Sequence, residues 1–145
     1  MSVTTSDAFV AAAESIATNA HQGQVDKLGA DYIDHPRRVA ENFSDPLARA
    51  TAWLHDVLED TDISPSDLLA AGIPGGVVEA VHLLTRTEEV SDSAYYAAIR
   101  ANPIALAVKR ADIADNLAEW RVAQLASDDR ERLADKYAGA LAALD

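Results

Sequence analysis

The sequence predicts an all-α protein, and three observations carry that expectation. Alanine, the best helix former, supplies 30 of the 145 residues. No stretch sustains the alternation of β-branched and polar residues that marks a half-buried strand. Prolines recur at intervals that suit the starts of short helices. A first helix opens at Ser6 or Asp7 and runs to about His21, with Phe9, Ala13, Ile16, Ala17 and Ala20 near one face. Gly23 ends it, and residues 23–34 read as a loop. Pro36 suits the first turn of a second helix reaching Asn42, and Pro46 starts a third that extends to about Leu58. Short helices follow Pro65 and Pro74. Ser91 caps another, which stops before Asn102-Pro103, because the residue before a proline is pushed out of the helical region. The last two run from Pro103 to about Leu125 and from Ser127 to the end. Nothing repeats at a fixed period and no Gly/Ser-rich linker divides the chain, so residues 1–145 are expected to form a single compact helical bundle.

The composition narrows the function class. A chain of this length supports one domain that buries about two-thirds of its unfolded surface. With 24 acidic and 12 basic residues the formal charge is −12, which argues against a nucleic-acid partner, since duplex affinity comes from clustered Lys and Arg. The absence of cysteine excludes disulfides, thiolate zinc sites and cysteine nucleophiles. No apolar run is long enough for a membrane span, and Met1–Asp7 lacks a secretory pattern, so a cytoplasmic location is expected. Alanine-rich helices such as 133–144 offer a self-complementary face for a homo-oligomer.

One segment carries more polar chemistry than a core requires. At helical pitch His55, Asp56, Glu59 and Asp60 share one arc, while Trp53, Leu54, Val57 and Leu58 fill the other. The ordinary alternative is a solvated acidic stripe. This arc holds no cation, however, and it sits toward the helix C-terminus, where carboxylates are disfavoured. A second polar group, Asp112, Asp115 and Asn116, recurs on a later helix, and His35 stands immediately before Pro36. Two imidazoles and two carboxylates, from His35, His55, Asp56 and Asp112, suit a divalent first-row ion and would be costly to bury without one. His21 reads as a structural hydrogen-bonder and His82 as a packing residue near the core.

These residues resemble the H…HD…D signature of HD-domain metal-dependent phosphohydrolases. The likeness extends further, to the RelA/SpoT-type alarmone hydrolases. Ala20-His21-Gln22-Gly23-Gln24, Asp26-Lys27-Leu28-Gly29 and Tyr32-Ile33-Asp34-His35-Pro36 are similar to that group's opening. Residues 53–61 resemble its HDxxED segment, and residues 108–116 its K-x-AD-x-x-x-N segment. The resemblance implies an HD-type helical bundle and a stand-alone small hydrolase. Its expected activity is a manganese-dependent removal of pyrophosphate from the ribose 3′ position of (p)ppGpp or a related nucleotide. By position it assigns His35, His55, Asp56 and Asp112 to the metal, and Glu59 and Asp60 to the attacking water, with Glu59 as base and Asp60 as positioning group. Lys27 would face the phosphates, and Asn116 the nucleotide or the metal's surroundings. Arg37 or Arg38 is within a turn of His35, and Tyr96 and Arg100 lie on a helix suited to line a cleft.

The chain departs from that group around the base. Asp26 stands where guanine-specific members carry an arginine that stacks on it, and Glu119 where they tend to have threonine. An adenine alarmone is therefore as admissible as a guanine one. An HD phosphatase releasing orthophosphate from another nucleotide or NADPH is the alternative enzyme, and a helical interaction module with a structural metal the alternative outside enzymes. Because a polyanion is repelled by an acidic protein, the metal, Lys27, Arg37 or Arg38, and Lys109 are the expected means of reversing the field locally.

Overall fold

The computed structural model describes residues 5–26, 28–118 and 122–145. These form α1 (Thr5–Ala20), α2 (Asp34–Ala40), α3 (Pro46–Leu54), α4 (Val57–Asp60), α5 (Pro65–Ala70), α6 (Gly75–Leu84), α7 (Asp92–Arg100), α8 (Pro103–Asn116) and α9 (Ser127–Leu144). Among the described residues the only β pairing is an isolated bridge between Val25 and Asp31. The expected all-α class holds.

Local chemistry fixes the helix starts, at Ser91 as predicted and at three further caps. Asp45 accepts a hydrogen bond from the Ala48 N–H, with Pro46 in the first turn of α3. Ser64 and Asp67 form a reciprocal capping box on α5, Ser91 caps α7 through the Ala94 N–H, and Asn102 caps α8 through Ile104 and Ala105. After α1 the chain turns at Gly23, whose φ of 85° lies in the left-handed region that favours glycine.

α3 sits at the centre, packed against α1, α2, α6 and α8. Small side chains are buried on both α1 and α3, Ala13 and Ala17 on the first and Ala48, Ala50 and Ala52 on the second. Leu54, Val57, Val77, Val81, Val108 and Ile113 fill the core around it. Thr51, fully buried there, is satisfied by donating to the Leu47 carbonyl at 2.8 Å.

Several boundaries differ from the sequence expectation. α2 begins at Asp34, two residues before Pro36, because a proline in the first turn lacks only an N–H that would be unpaired anyway. The third helix does not continue to Leu58. The Ala52 carbonyl accepts from both the His55 N–H and the His55 Nδ1–H, the latter at 2.6 Å, and the helix stops at Leu54 before resuming as α4. α8 ends at Asn116, not near Leu125; Leu117 closes its last turn on Ile113 and then leaves helical geometry. His82 is exposed, since Val78, Val81 and Leu84 take the inward face of α6.

Candidate metal centre and cleft

Three elements deliver one side-chain cluster. His35 comes from the first turn of α2, His55 and Asp56 from the break between α3 and α4, and Asp112 from the third turn of α8. The break matters, because it places two consecutive residues side by side at one point instead of on diverging arcs of a continuous helix. His35 Nε2 lies 2.8 Å from Asp112 Oδ1 and 4.0 Å from Asp56 Oδ2. His55 Nε2 lies 3.1 Å from Asp56 Oδ2 and 3.4 Å from Asp112 Oδ1. One donor atom from each of His35, His55 and Asp56 falls within 4.8 Å of the others.

The chemistry of this set fits a divalent cation. His55 Nε2 is buried between two carboxylates, yet neither is aligned with it for a hydrogen bond, so it has no partner. An unpartnered buried nitrogen is costly unless a ligand satisfies it. The other ring nitrogen, Nδ1, donates to Ala52 and so directs the lone pair of Nε2 into the cluster. Tyr32 donates its hydroxyl to Asp56 Oδ2 at 2.5 Å. Burial together with the Asp56 charge raises the Tyr32 pKa, which keeps it a donor. Burial would raise the Asp112 carboxyl, but the hydrogen bond with His35 and the nearby His55 and Lys109 side chains hold it well below its usual value. Asp56 is partly buried, which would raise it, but the neighbouring His55 keeps its carboxyl below the usual range. Both carboxylates are therefore charged at neutral pH and able to bind a cation.

Above the cluster opens a cleft of about 290 Å³. Glu59, Arg86, Tyr95, Tyr96, Lys109, Asn116, Lys136 and Tyr137 line it. The Glu59 carboxylate accepts the Arg86 backbone N–H at 3.0 Å, which anchors it at the cleft edge. Partial burial, then the charges of Asp56 and Asp60, raise its pKa above the ordinary glutamate value. Lys109 Nζ stands 3.4 Å from Asp112 Oδ2 and 5.7 Å over the Tyr95 ring. Burial opposes its charge, but Asp112 and the tyrosines raise its pKa, so it stays cationic. Arg86 stacks 4.8 Å over Tyr95 and pairs with Asp92. A more apolar side pocket, shared through Tyr32, Asn116, Lys136 and Tyr137, continues toward Val25, Asp26, Leu28, Leu125 and Leu133.

The predicted site residues divide accordingly. His35, His55, Asp56 and Asp112 meet, and Asn116 donates to Asp112 Oδ1 at 3.2 Å. Glu59 and Tyr96 line the cleft. Asp60 faces an adjacent open depression with Gln24, Thr61 and Asp62. Arg37 is exposed and paired with Asp34 at 2.7 Å, and Arg100 is exposed at the end of α7, outside the cleft lining. Lys27 and Glu119 lie outside the described residues. His21 is buried, with its Nδ1–H donated to Gln24 at 3.0 Å, as expected of a structural hydrogen-bonder. Sequence reasoning missed Tyr32, Arg86, Lys136 and Tyr137. The only signal for them was that cations and tyrosines are sparse in this acidic chain.

No family model matches the chain. Over 57 residues it is 42% identical to the guanosine-3′,5′-bis(diphosphate) 3′-pyrophosphohydrolase of Vibrio cholerae serotype O1. That match takes in 37% of this chain and spans only 8% of the curated relative's length. Among solved structures it is similar to a metazoan ortholog of SpoT, described as hydrolyzing ppGpp and playing a role in starvation responses. The TM-score is 0.70 at 24% identity, over 94% of this chain and 83% of that one. With His35, His55-Asp56 and Asp112 gathered at the centre of such a bundle, the chain has the all-helical HD-domain fold of that SpoT-type neighbour.

Proposed function

We propose that this chain, as a single HD-type domain over residues 1–145, is a metal-dependent phosphohydrolase that removes the 3′-pyrophosphate of a guanosine or adenosine alarmone such as (p)ppGpp or (p)ppApp. One observation carries the reading: two imidazoles and two charged carboxylates converge around an unpartnered, buried His55 Nε2 at the floor of a cleft whose walls are cationic and aromatic. The names of the bacterial and metazoan relatives supply the substrate class.

His35, His55, Asp56 and Asp112 would hold the cation, for which we propose Mn²⁺ among divalent first-row ions. Such an ion, when bound, acidifies water and polarises a phosphoryl oxygen. The chain's own groups account for the rest of the reaction. Glu59, fixed by the Arg86 N–H, orients the attacking water and accepts its proton as oxygen adds to the 3′-linked phosphorus. The bond from that phosphorus to the ribose 3′ oxygen breaks, and the oxygen takes up, directly or through water, the proton that Glu59 received, giving pyrophosphate and the 3′-hydroxyl nucleotide. Lys109 and Arg86 stabilise the phosphate charge, Tyr96 offers a ring for stacking, and Asp60 acts through its charge beside Glu59. Among the described residues no helix is long and apolar enough to cross a membrane, in keeping with a small-molecule substrate and a cytoplasmic location.

One observation favours a second substrate. Asp26 Oδ1 accepts the Leu28 and Ala30 N–H groups, so a carboxylate, not a stacking cation, lines the side pocket. Without a stacking cation at that wall, an adenine alarmone, or NADPH losing orthophosphate, is a serious option beside guanine. The test is a panel of ppGpp, ppApp and NADPH with Mn²⁺ and identification of the product. Pyrophosphate from an alarmone is the expected result, and orthophosphate from NADPH would select the second substrate. No turnover of any of them at full metal occupancy would leave a helical interaction module with a structural metal.

A further inference from the structure

The two imidazoles of the cluster are held in different ways. The Nδ1–H of His55 is donated to a neutral backbone carbonyl, that of Ala52. The Nδ1 of His35 faces a carboxylate, Asp115 Oδ2, at 2.6 Å. An ionised carboxylate only accepts, so Nδ1 carries a proton toward Asp115, while Nε2, which faces Asp112 Oδ1 at 2.8 Å, is the nitrogen at which a cation would take the proton's place. Asp115 is itself fixed from a second side. Arg38 Nε donates to Asp115 Oδ1 at 2.8 Å and its terminal nitrogen donates to Oδ2 at 3.1 Å, a two-pronged fork. The side chains are largely enclosed, 10% exposed for Asp115 and 5% for His35.

The spacing makes this a two-helix device. His35 and Arg38 are three apart on α2, and Asp112 and Asp115 are three apart on α8, so each pair lies on one helix face. The ring of His35 is thereby pinned between two successive acids of α8, one at each nitrogen. We infer that Asp115, clamped by Arg38, is a positioning residue for the metal centre, holding His35 in the tautomer and orientation that present Nε2 to the cation. This rests on the metal centre proposed above. A ring held by a charged acceptor is also a more basic ligand than one held by a carbonyl. His35 is accordingly the ligand whose contribution depends on another side chain, whereas His55 depends only on the backbone.

The experiment measures Mn²⁺ affinity by titration calorimetry on the full chain, with folding checked by circular dichroism. Asp115→Ala weakens binding by about 10- to 100-fold, the usual cost of removing such a partner. Asp115→Asn keeps an acceptor but loses its charge and opposes the Arg38 fork, so it weakens binding less, yet by more than about threefold. Glu41→Gln removes an exposed acid of the same region that does not touch His35, and stays within about twofold because surface charge is screened. Unchanged affinity in a folded Asp115→Ala protein overturns the inference. So does unchanged affinity in Asp115→Asn, which decides the matter if the alanine variant does not fold. An equal loss in Glu41→Gln also overturns it, because the effect is then one of bulk charge. Failure of the unsubstituted protein to bind Mn²⁺ is a distinct result, and it refutes the metal centre itself.

Discussion

The floor and the rim of the cleft are built on opposite principles. On the floor, His35, His55 and Asp112 are buried, each side chain is held by a second group, and both imidazoles have acids within 3.4 Å. At the rim, Arg86 and Lys136 are exposed, Tyr96 and Tyr137 are partly covered, and the contacts are stacked rings and cations. The floor is enclosed and acidic, suited to a cation. The rim is more exposed and cationic, suited to a polyanion. Under the proposed function an acidic protein would bind both because the opposite charges are stacked in depth, not mixed on one surface.

Substitutions test that division, beginning on the floor. Asp112→Ala and His55→Ala should abolish stoichiometric Mn²⁺ binding and lower kcat/KM on the alarmone by on the order of 10³ or more, about 4 kcal/mol of transition-state stabilisation. Metal titration alongside steady-state kinetics checks both. Between floor and rim, Glu59→Gln should lower kcat by about 10²- to 10⁴-fold with metal affinity retained, as expected for loss of a general base. Asp60→Asn should cost at most about tenfold, since its side chain faces the neighbouring depression. Equal losses in the two variants would erase the distinction between these adjacent acids.

At the rim, Arg86→Ala should raise KM by about tenfold, roughly 1.4 kcal/mol, and leave Mn²⁺ affinity unchanged. The alanine keeps the backbone N–H that anchors Glu59, so kcat should change little. A matching loss of metal affinity would show that floor and rim are one coupled unit. The smallest effect lies away from the cleft. The capping hydrogen bonds to Ser64 lower the exposed Asp67 below its ordinary pKa of 3.8. Its folded value is depressed, so its contribution is present above the ordinary carboxylate range and lost as pH falls through the lowered value. Asp67→Asn should therefore lose stability near neutrality but approach the unsubstituted protein in acid, as read by thermal melts across pH.

Much of this molecule was legible in the chain. The cap at Ser91 and the helix starts at Pro46, Pro65 and Pro103 act over two or three residues, and the structure uses each as read, while the caps at Asp45, Ser64 and Asn102 emerged only with the structure. The cluster of His35, His55, Asp56 and Asp112 was legible because its chemistry is improbable for a core and a stripe alike. Other readings failed for a shared reason. His82 and Arg37 were placed by chain neighbours, but helix rotation against the bundle turned both outward. Arg38, one residue on, points instead to Asp115 on α8.

The sequence by itself therefore determined the helical class, the punctuation between helices and the residue types gathered at the centre. Those depend on propensity and on hydrogen bonds between near neighbours. Tertiary structure alone decided that Glu59 lines the cleft while Asp60 lines the depression beside it, that Arg38 and not Arg37 reaches Asp115, and that Arg86, Lys136 and Tyr137 complete the rim. The physical reason is angular. One residue turns a helical side chain by about 100°, and a break such as that after Leu54 resets the direction, so which group meets which is settled only when the helices pack.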